Sequence, residues 1–376
     1  MKQLKDTGKW YRLAIPIGLI VIILGVFLGY YGYGYPTQSS FVKEAKPTTS
    51  KTTVQPILSQ NELDDAIDQY EPLQKSLAMD SKNLPVIPGI QNTQTINTHS
   101  KKVEICTSMT PQGVATYGDY LFTSSYDHDL IHNSVIYVQS LKTGKLINTI
   151  VLQGQPHVGG IAFDPKNEQL WVCGTKDSGP ELFSIKLNRL LNYKISDGPI
   201  SYNQRTALGT VHRASFVNYT DNSLFVGFFN PGGEGQVSRL DLNNAGEIVG
   251  GNTNLLGADN SVDLFARVLQ QQQTIQKAQG LTFSGDYALL SQSYGANTSF
   301  LYIFKKNLNQ KVFRQQDALK IIPMPSHLEQ ISSDGNKIYM TFESSNRTYR
   351  KTSKQVVDRV VITTLDQLLK NAPRRI

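Results

Sequence analysis

The densest group of reactive side chains in this 376-residue sequence lies in the stretch SSYDHDLIHNS, Ser124 to Ser134, which carries Asp127, His128, Asp129 and His132. Carboxylates and imidazoles this close together can hold a divalent cation, with oxygen donors suiting calcium and nitrogen donors suiting zinc. Their spacing matches no specific motif, and a hydrogen-bonded surface loop uses the same residue types. Nucleophilic catalysis has no local signature. There is no G-x-S-x-G elbow, and Cys106 and Cys173, the two cysteines, sit where nothing nearby would lower a thiol pKa. The pair can bridge in an oxidising exterior or lie apart as small buried hydrophobes. GGEGQ at Gly232 is rich in glycine but lacks the Lys-Ser/Thr and following helix of a phosphate loop. The N-x-S/T triplets at Asn218, Asn297 and Asn346 matter only in a glycosylating host.

From Lys102 onward the chain is a succession of short alternating runs, among them SVIYVQSL, KLINTIVL, QLWVCG, SLFVGFF, SFLYIF and KIYMTF, separated by Gly, Asn and Asp turn signals. That texture predicts an all-β domain. Five segments superpose, starting at Thr110, Pro156, Thr210, Lys277 and Pro325. Each is a strand with small residues, then a turn, then a more apolar strand, with a further strand pair behind it. The starts lie roughly 45 to 65 residues apart, the spacing of a radial or stacked repeat, and a four-stranded meander per repeat is a propeller blade. Five blades are expected, or six if the region from Gly232 to Gln279 holds another. Ser261–Gln276 reads as a helix or coil on the rim. The fifth repeat runs one strand short, so KVEICTSM, Lys102–Met109, is expected to complete the last blade and close the ring.

The innermost strands of such a ring line its axis. Aligning the repeats on their small-residue step sets Gln112, Gly159, Arg213, Gln279 and Glu329 at one level, with Thr110, His157, Val211, Lys277 and His327 two residues earlier. Gln112, His157, Arg213, Gln279, His327 and Glu329 are therefore the candidates for a channel or ligand site. A wet, polar axis with no ligand accounts for the same residues.

The N-terminal third differs in texture. Tyr11–Tyr35, YRLAIPIGLIVIILGVFLGYYGYGY, carries no charge after Arg12 and is long enough to cross about 30 Å of hydrocarbon. Lys2, Lys5, Lys9 and Arg12 precede it, which orients the N-terminus toward the cytoplasm, and aromatic rings bracket the span. The expected organisation is a cytoplasmic leader over 1–10, an uncleaved signal-anchor helix over 11–35, a stalk over 36–101 and the propeller over 102–376. Within the stalk, Asn61–Lys82 is expected to form a short helix with Asn61 as its cap, ended or kinked at Pro72. The formal net charge of +7 suggests weak attraction to anionic surfaces. It is too dispersed for a nucleic-acid patch: the Arg347, Arg350, Lys351, Lys354 run is interrupted by Thr and Ser.

The inner strands HVGGIAFDP and QGLTF, the strand QLWVCG and the TGK turn resemble those of anchored or secreted bacterial propellers of the YncE-like, YVTN-type class, over about Lys102 to Leu369. TPQGVATYGDYLFTSS followed by a TGK turn is also similar to the first blade of five-bladed glutaminyl-peptide cyclotransferases. That family implies a catalytic Glu after the aromatic residue of the second strand, and here that position is Thr123. The departure leaves the activity without its residue. The sequence thus favours a non-catalytic surface module that binds a wall polymer, a peptide or an envelope protein. The alternative is a metal-dependent hydrolase, lactonase or cyclotransferase-like enzyme working in the channel.

Overall fold

The alternating runs pair as antiparallel meanders. The computed structural model describes residues 50–176, 179–208, 211, 213–249, 270–308 and 313–373, all within one compact unit, Lys46–Ile376. The expected anchor at 11–35 lies outside the described residues, among which no helix is long and apolar enough to cross a membrane.

Two short strands, β1 (Thr93–Ile96) and β2 (Val103–Cys106), pair only with each other. Blade one follows as β3 (Met109–Tyr117), β4 (Tyr120–Asp127), β5 (Val135–Ser140) and β6 (Leu146–Val151). Blade two is β7 (Ile161–Asp164), β8 (Gln169–Lys176), β9 (Gly179–Lys186) and β10 (Gln204–Ala207). Blade three is β11 (Phe216–Thr220), β12 (Ser223–Phe228), β13 (Glu234–Asp241) and β14 (Gln270–Gln276). Blade four is β15 (Ala278–Ser284), β16 (Tyr287–Gln292), β17 (Ser299–Lys305) and β18 (Lys320–Met324). Blade five has three strands, β19 (Leu328–Asp334), β20 (Lys337–Phe342) and β21 (Val361–Thr364). The first strands touch in the order β3, β7, β11, β15, β19 and back to β3, so the chain is an all-β, five-bladed propeller.

Three expectations are corrected. Gln270–Gln276 is not part of a rim helix or coil but the outer strand of blade three, its backbone paired antiparallel with β13. KVEICTSM does not complete blade five; its strand β2 pairs with β1 instead. The free edge of β21 is already occupied by a segment the sequence reading assigned to the stalk. Leu77 bridges Thr363 and Val86 bridges Arg359, and the amides of Ala78 and Ile87 donate to Ile362 O (2.9 Å) and Asp358 O (3.0 Å). Asp358 also accepts the amides of Ile57 (2.7 Å) and Leu58 (3.0 Å), which pins the strap where it begins.

The strap packs rather than projects. A helix over Gln60–Asp68 places Leu63, Ala66 and Ile67 on one buried face, the i, i+3, i+4 pattern of a core-facing helix. Its cap is Ser59, not Asn61, because Ser59 and Glu62 satisfy each other's backbone amides in a capping box. Pro72 sits in the first turn of the next helix, Glu71–Gln74, where its missing N–H costs nothing. Leu63, Ile67, Leu73, Leu84 and Ile87 join Leu301, Ile322, Ile338, Val361 and Leu368 in one core.

Around the axis the inner strands come close enough to demand small residues. A Cβ on Gly160 would lie 2.5 Å from Phe216 Cα, one on Gly280 2.8 Å from Ile331 N, and one on Gly113 2.8 Å from Gln330 Oε1. Gly113, Gly160 and Gly280 hold equivalent places in blades one, two and four, one residue before Val114, Ile161 and Leu281, and blade five supplies Gln330 there. Its Oε1 accepts from Val114 N (3.0 Å) and Ile161 N (2.8 Å), and its Nε2 donates to Ile161 O (2.7 Å) and Val217 O (2.8 Å). One buried amide thus ties blade five to three others and plugs the axis.

Candidate functional site

Above the Gln330 plug the axis opens into a cavity of ≈560 Å³. All six channel candidates, Gln112, His157, Arg213, Gln279, His327 and Glu329, line it. The backbone aims them by β-bulges. Register slips between Pro111 and Val114, between Ala278 and Gly280, and between Leu328 and Ile331, leaving Gln112, Gln279 and Glu329 out of the ladder. Residues outside a ladder are turned away from the pleat, which is how bulges re-aim side chains at sites. Lys277 and His327, just before two of these bulges, take left-handed φ of 57° and 62°. Of the level two residues earlier, Thr110 and Val211 are buried and do not line the cavity.

A second ring comes from the ends of the second strands. Thr123, Val172, Val226, Leu290 and Met340 pair with Val114, Ile161, Val217, Leu281 and Ile331 at one level of the five blades. Three residues further along each chain stand Tyr126, Thr175, Phe229, Ser293 and Glu343. Thr175, Phe229 and Glu343 line the cavity, and the Tyr126 ring lies 4.3 Å from that of His157. Sequence reasoning missed this ring because it aligned only the inner strands. Thr123 lies below the ring, buried and away from the cavity lining.

Glu343 is the hub. Its Oε2 accepts from Gln112 Nε2 (3.1 Å) and its Oε1 faces His327 Nδ1 (3.1 Å). His327 is 2% exposed, and its other nitrogen, Nε2, has no partner. Glu329 Oε1 accepts from Gln279 Nε2 (3.1 Å). Burial, and then the charge of Glu343, pushes the Glu329 carboxyl well above its ordinary value, so it favours the neutral acid. His157 exposes its ring to the cavity, with the blades crowded around it. Desolvation there holds its pKa below 6.5, outweighing the attraction of Glu343. Tyr349 stacks at a tilt 5.2 Å from His327, and burial with the nearby Glu343 charge pushes its phenol up to about 12.

The predicted metal loop does not assemble as a set. Asp127 is buried, and its carboxylate accepts from Ser108 Oγ, from the amides of Asp129 (3.1 Å), Ile131 (3.0 Å) and His132 (2.9 Å), and lies 2.9 Å from His132 Nδ1. Burial alone would raise this carboxyl, but the bonds from His132, Ser108 and the backbone hold it well below the usual range. His128 turns away to an edge contact with Tyr349, and Asp129 pairs with Arg347 (2.8 Å). Cys106, rather than His128 or Asp129, joins Asp127 and His132 in the one group of three metal-capable residues found among the described residues. Asp127 has no oxygen to spare there, and burial followed by the Asp127 charge pushes the Cys106 thiol up, away from the thiolate a metal needs. Cys106 and Cys173 are both free and buried, so they do not pair.

No protein-family model and no curated protein matches the chain. Among solved structures it is similar to the hydrazine synthase of Kuenenia stuttgartiensis, at 11% identity and a TM-score of 0.35, over 73% of this chain and 80% of that one. A chain of a nidogen/laminin complex matches at 15% identity and a TM-score of 0.37, over 67% and 84%. The β-propeller domain of the trilobed protease of Pyrococcus furiosus matches at 10% identity and a TM-score of 0.31, over 62% and 79%. The fold rests on the five sheets themselves, and these likenesses add nothing about function.

Proposed function

We propose that this protein is a binding module anchored in a membrane and facing the cell exterior, with the axial cavity as its ligand site. The observation that carries the reading is the convergence of side chains from all five blades on one cavity of ≈560 Å³, closed below by Gln330. Pockets of roughly 300–1,000 Å³ with a few fixed polar groups and aromatic walls suit small molecules and chain ends. Here Gln112 and Gln279 are fixed by Glu343 and Glu329, and Phe229 and Tyr294 supply the aromatic wall. Anchoring is argued from the stretch at 11–35, uncharged after Arg12, and the basic residues at its start and before it. The YncE-like resemblance agrees with a surface location. A wall polymer, a peptide or an envelope protein would present the ligand.

The test uses the full chain in detergent micelles and a panel of wall-derived oligosaccharides and peptides, read by thermal shift. A ligand at 100 times its Kd adds about 2.7 kcal/mol of stability, which raises the melting temperature measurably. Thr175→Trp fills the mouth of the cavity and is expected to abolish the shift while melting normally without ligand. Equal shifts in both proteins would place the ligand elsewhere. Protease added to intact cells should remove the C-terminal domain; protection would sink the proposed orientation.

A further inference from the structure

We propose that the cavity takes an anionic group, the carboxylate of a small acid or of a peptide chain end, held by Arg213 with Lys277 at the rim. This rests on the cavity being the ligand site and adds the chemistry of what enters it.

The argument is a count of charges left without partners. Arg213 lines the cavity and is exposed to it, and among the described residues its guanidinium has neither a carboxylate nor a hydrogen-bond partner. Lys277 holds its ammonium 4.5 Å from the ring centre of Tyr294, a cavity residue, and likewise meets no carboxylate. The two acids on the same wall do not balance them. Glu343 carries one negative charge, and both of its oxygens already have neighbours, Gln112 and His327, so it offsets at most one of the two cations. Glu329 is buried beside Glu343 and favours its neutral form, in which it offers an O–H rather than a charge. What remains for a ligand is therefore positive.

The donors fit a carboxylate. A guanidinium presents two parallel N–H groups to one, and such charge-assisted pairs are the strong kind of hydrogen bond. His327 lines the same wall, its Nε2 buried and without a partner and its Nδ1 3.1 Å from Glu343 Oε1. Phe229 and Tyr294 stack with ring centres 6.2 Å apart and give an apolar body somewhere to lie. An acid with an aromatic or aliphatic side chain satisfies all of these at once.

The experiment is calorimetric titration of the full chain at pH 7 with three probes: N-acetyl-alanyl-phenylalanine, its C-terminal amide, and phenylpropionate as a small free acid. The acid peptide is expected to bind at least about tenfold more tightly than the amide, since a hydrogen bond to a charged group contributes that much or more. Arg213→Ala should weaken the acid about 10- to 100-fold and bring acid and amide together, with Arg213→Lys between the two. Phenylpropionate binding as tightly as the peptide would identify a small acid as the source of the carboxylate; weaker binding would identify a chain end. Equal binding of acid and amide, unaltered by Arg213→Ala, would overturn the anion assignment and leave the cavity as the ligand site. No binding of any probe, while a wall fragment still shifts the melting of wild type but not of Thr175→Trp, would overturn it in the same way.

Discussion

Asp127 shows how a cluster that looks like a metal site can be a knot in the chain. Its carboxylate gathers three backbone amides, a serine hydroxyl and an imidazole, so the loop from Asp127 to His132 folds around a single charge. Replacing it with Ala strips those partners and leaves His132, 2.9 Å away, facing an empty site. Losing one partner of a buried pair costs about 3–5 kcal/mol, so Asp127→Ala should show that loss in urea unfolding at pH 7, whether or not a chelator is present. The folded pKa of Asp127 is depressed, so its contribution is present above the ordinary value of 3.8 and fades as pH falls through the folded value. The difference between wild type and variant should therefore shrink in acid. A difference that depends on chelator at pH 7 would mean that a metal holds the loop after all. The sequence displayed the right residue types but not their directions; only the turn geometry sends His128 toward Tyr349 and Asp129 toward Arg347.

At the scale of strands, the site is a product of register. The repeat alignment picked out Gln112, Gln279 and Glu329 because a propeller repeats its inner strand, and the bulges then aim these residues at the axis. The second ring escaped because its members, Thr175, Phe229 and Glu343 among them, share a position and no residue type. The plug escaped too, since a single Gln in a row of small residues reads as one more polar inner position. Gln330 satisfies two amides and two carbonyls that the close approach of β3, β7 and β11 takes from water. Gln330→Ala should lower stability by at least about 3 kcal/mol, since each unsatisfied buried group costs about 1–3 kcal/mol. Equilibrium unfolding measures it, and a change below 1 kcal/mol, about the net worth of one ordinary hydrogen bond, would mean that water replaces the amide and the axis is not closed.

Over the whole molecule, five blades were legible because each repeat carries its own turn signals and alternation. The closure was not. Composition made residues 50–101 look like a spacer, while the few apolar residues that decide its fate, Leu63, Ile67, Leu84 and Ile87, are spread thinly among polar ones. A chain segment need not be hydrophobic on average to be bound; it needs apolar groups at the right period and an unpaired strand edge to meet. By folding back along β21, the strap spares the last blade an open edge. The described residues leave a cavity of ≈560 Å³ on the axis, lined by polar and aromatic side chains, and the central claim is that partners engage it there. Tyr294 lines the cavity with 51% of its surface exposed, and Leu319, beside the outer strand of the same blade, has 47%. A photo-crosslinking phenylalanine analogue placed at either position, in the full chain within its native cells, compares the two surfaces at matched exposure. Adducts from position 294 and none from 319 are the expected result; adducts from 319 alone would contradict the account.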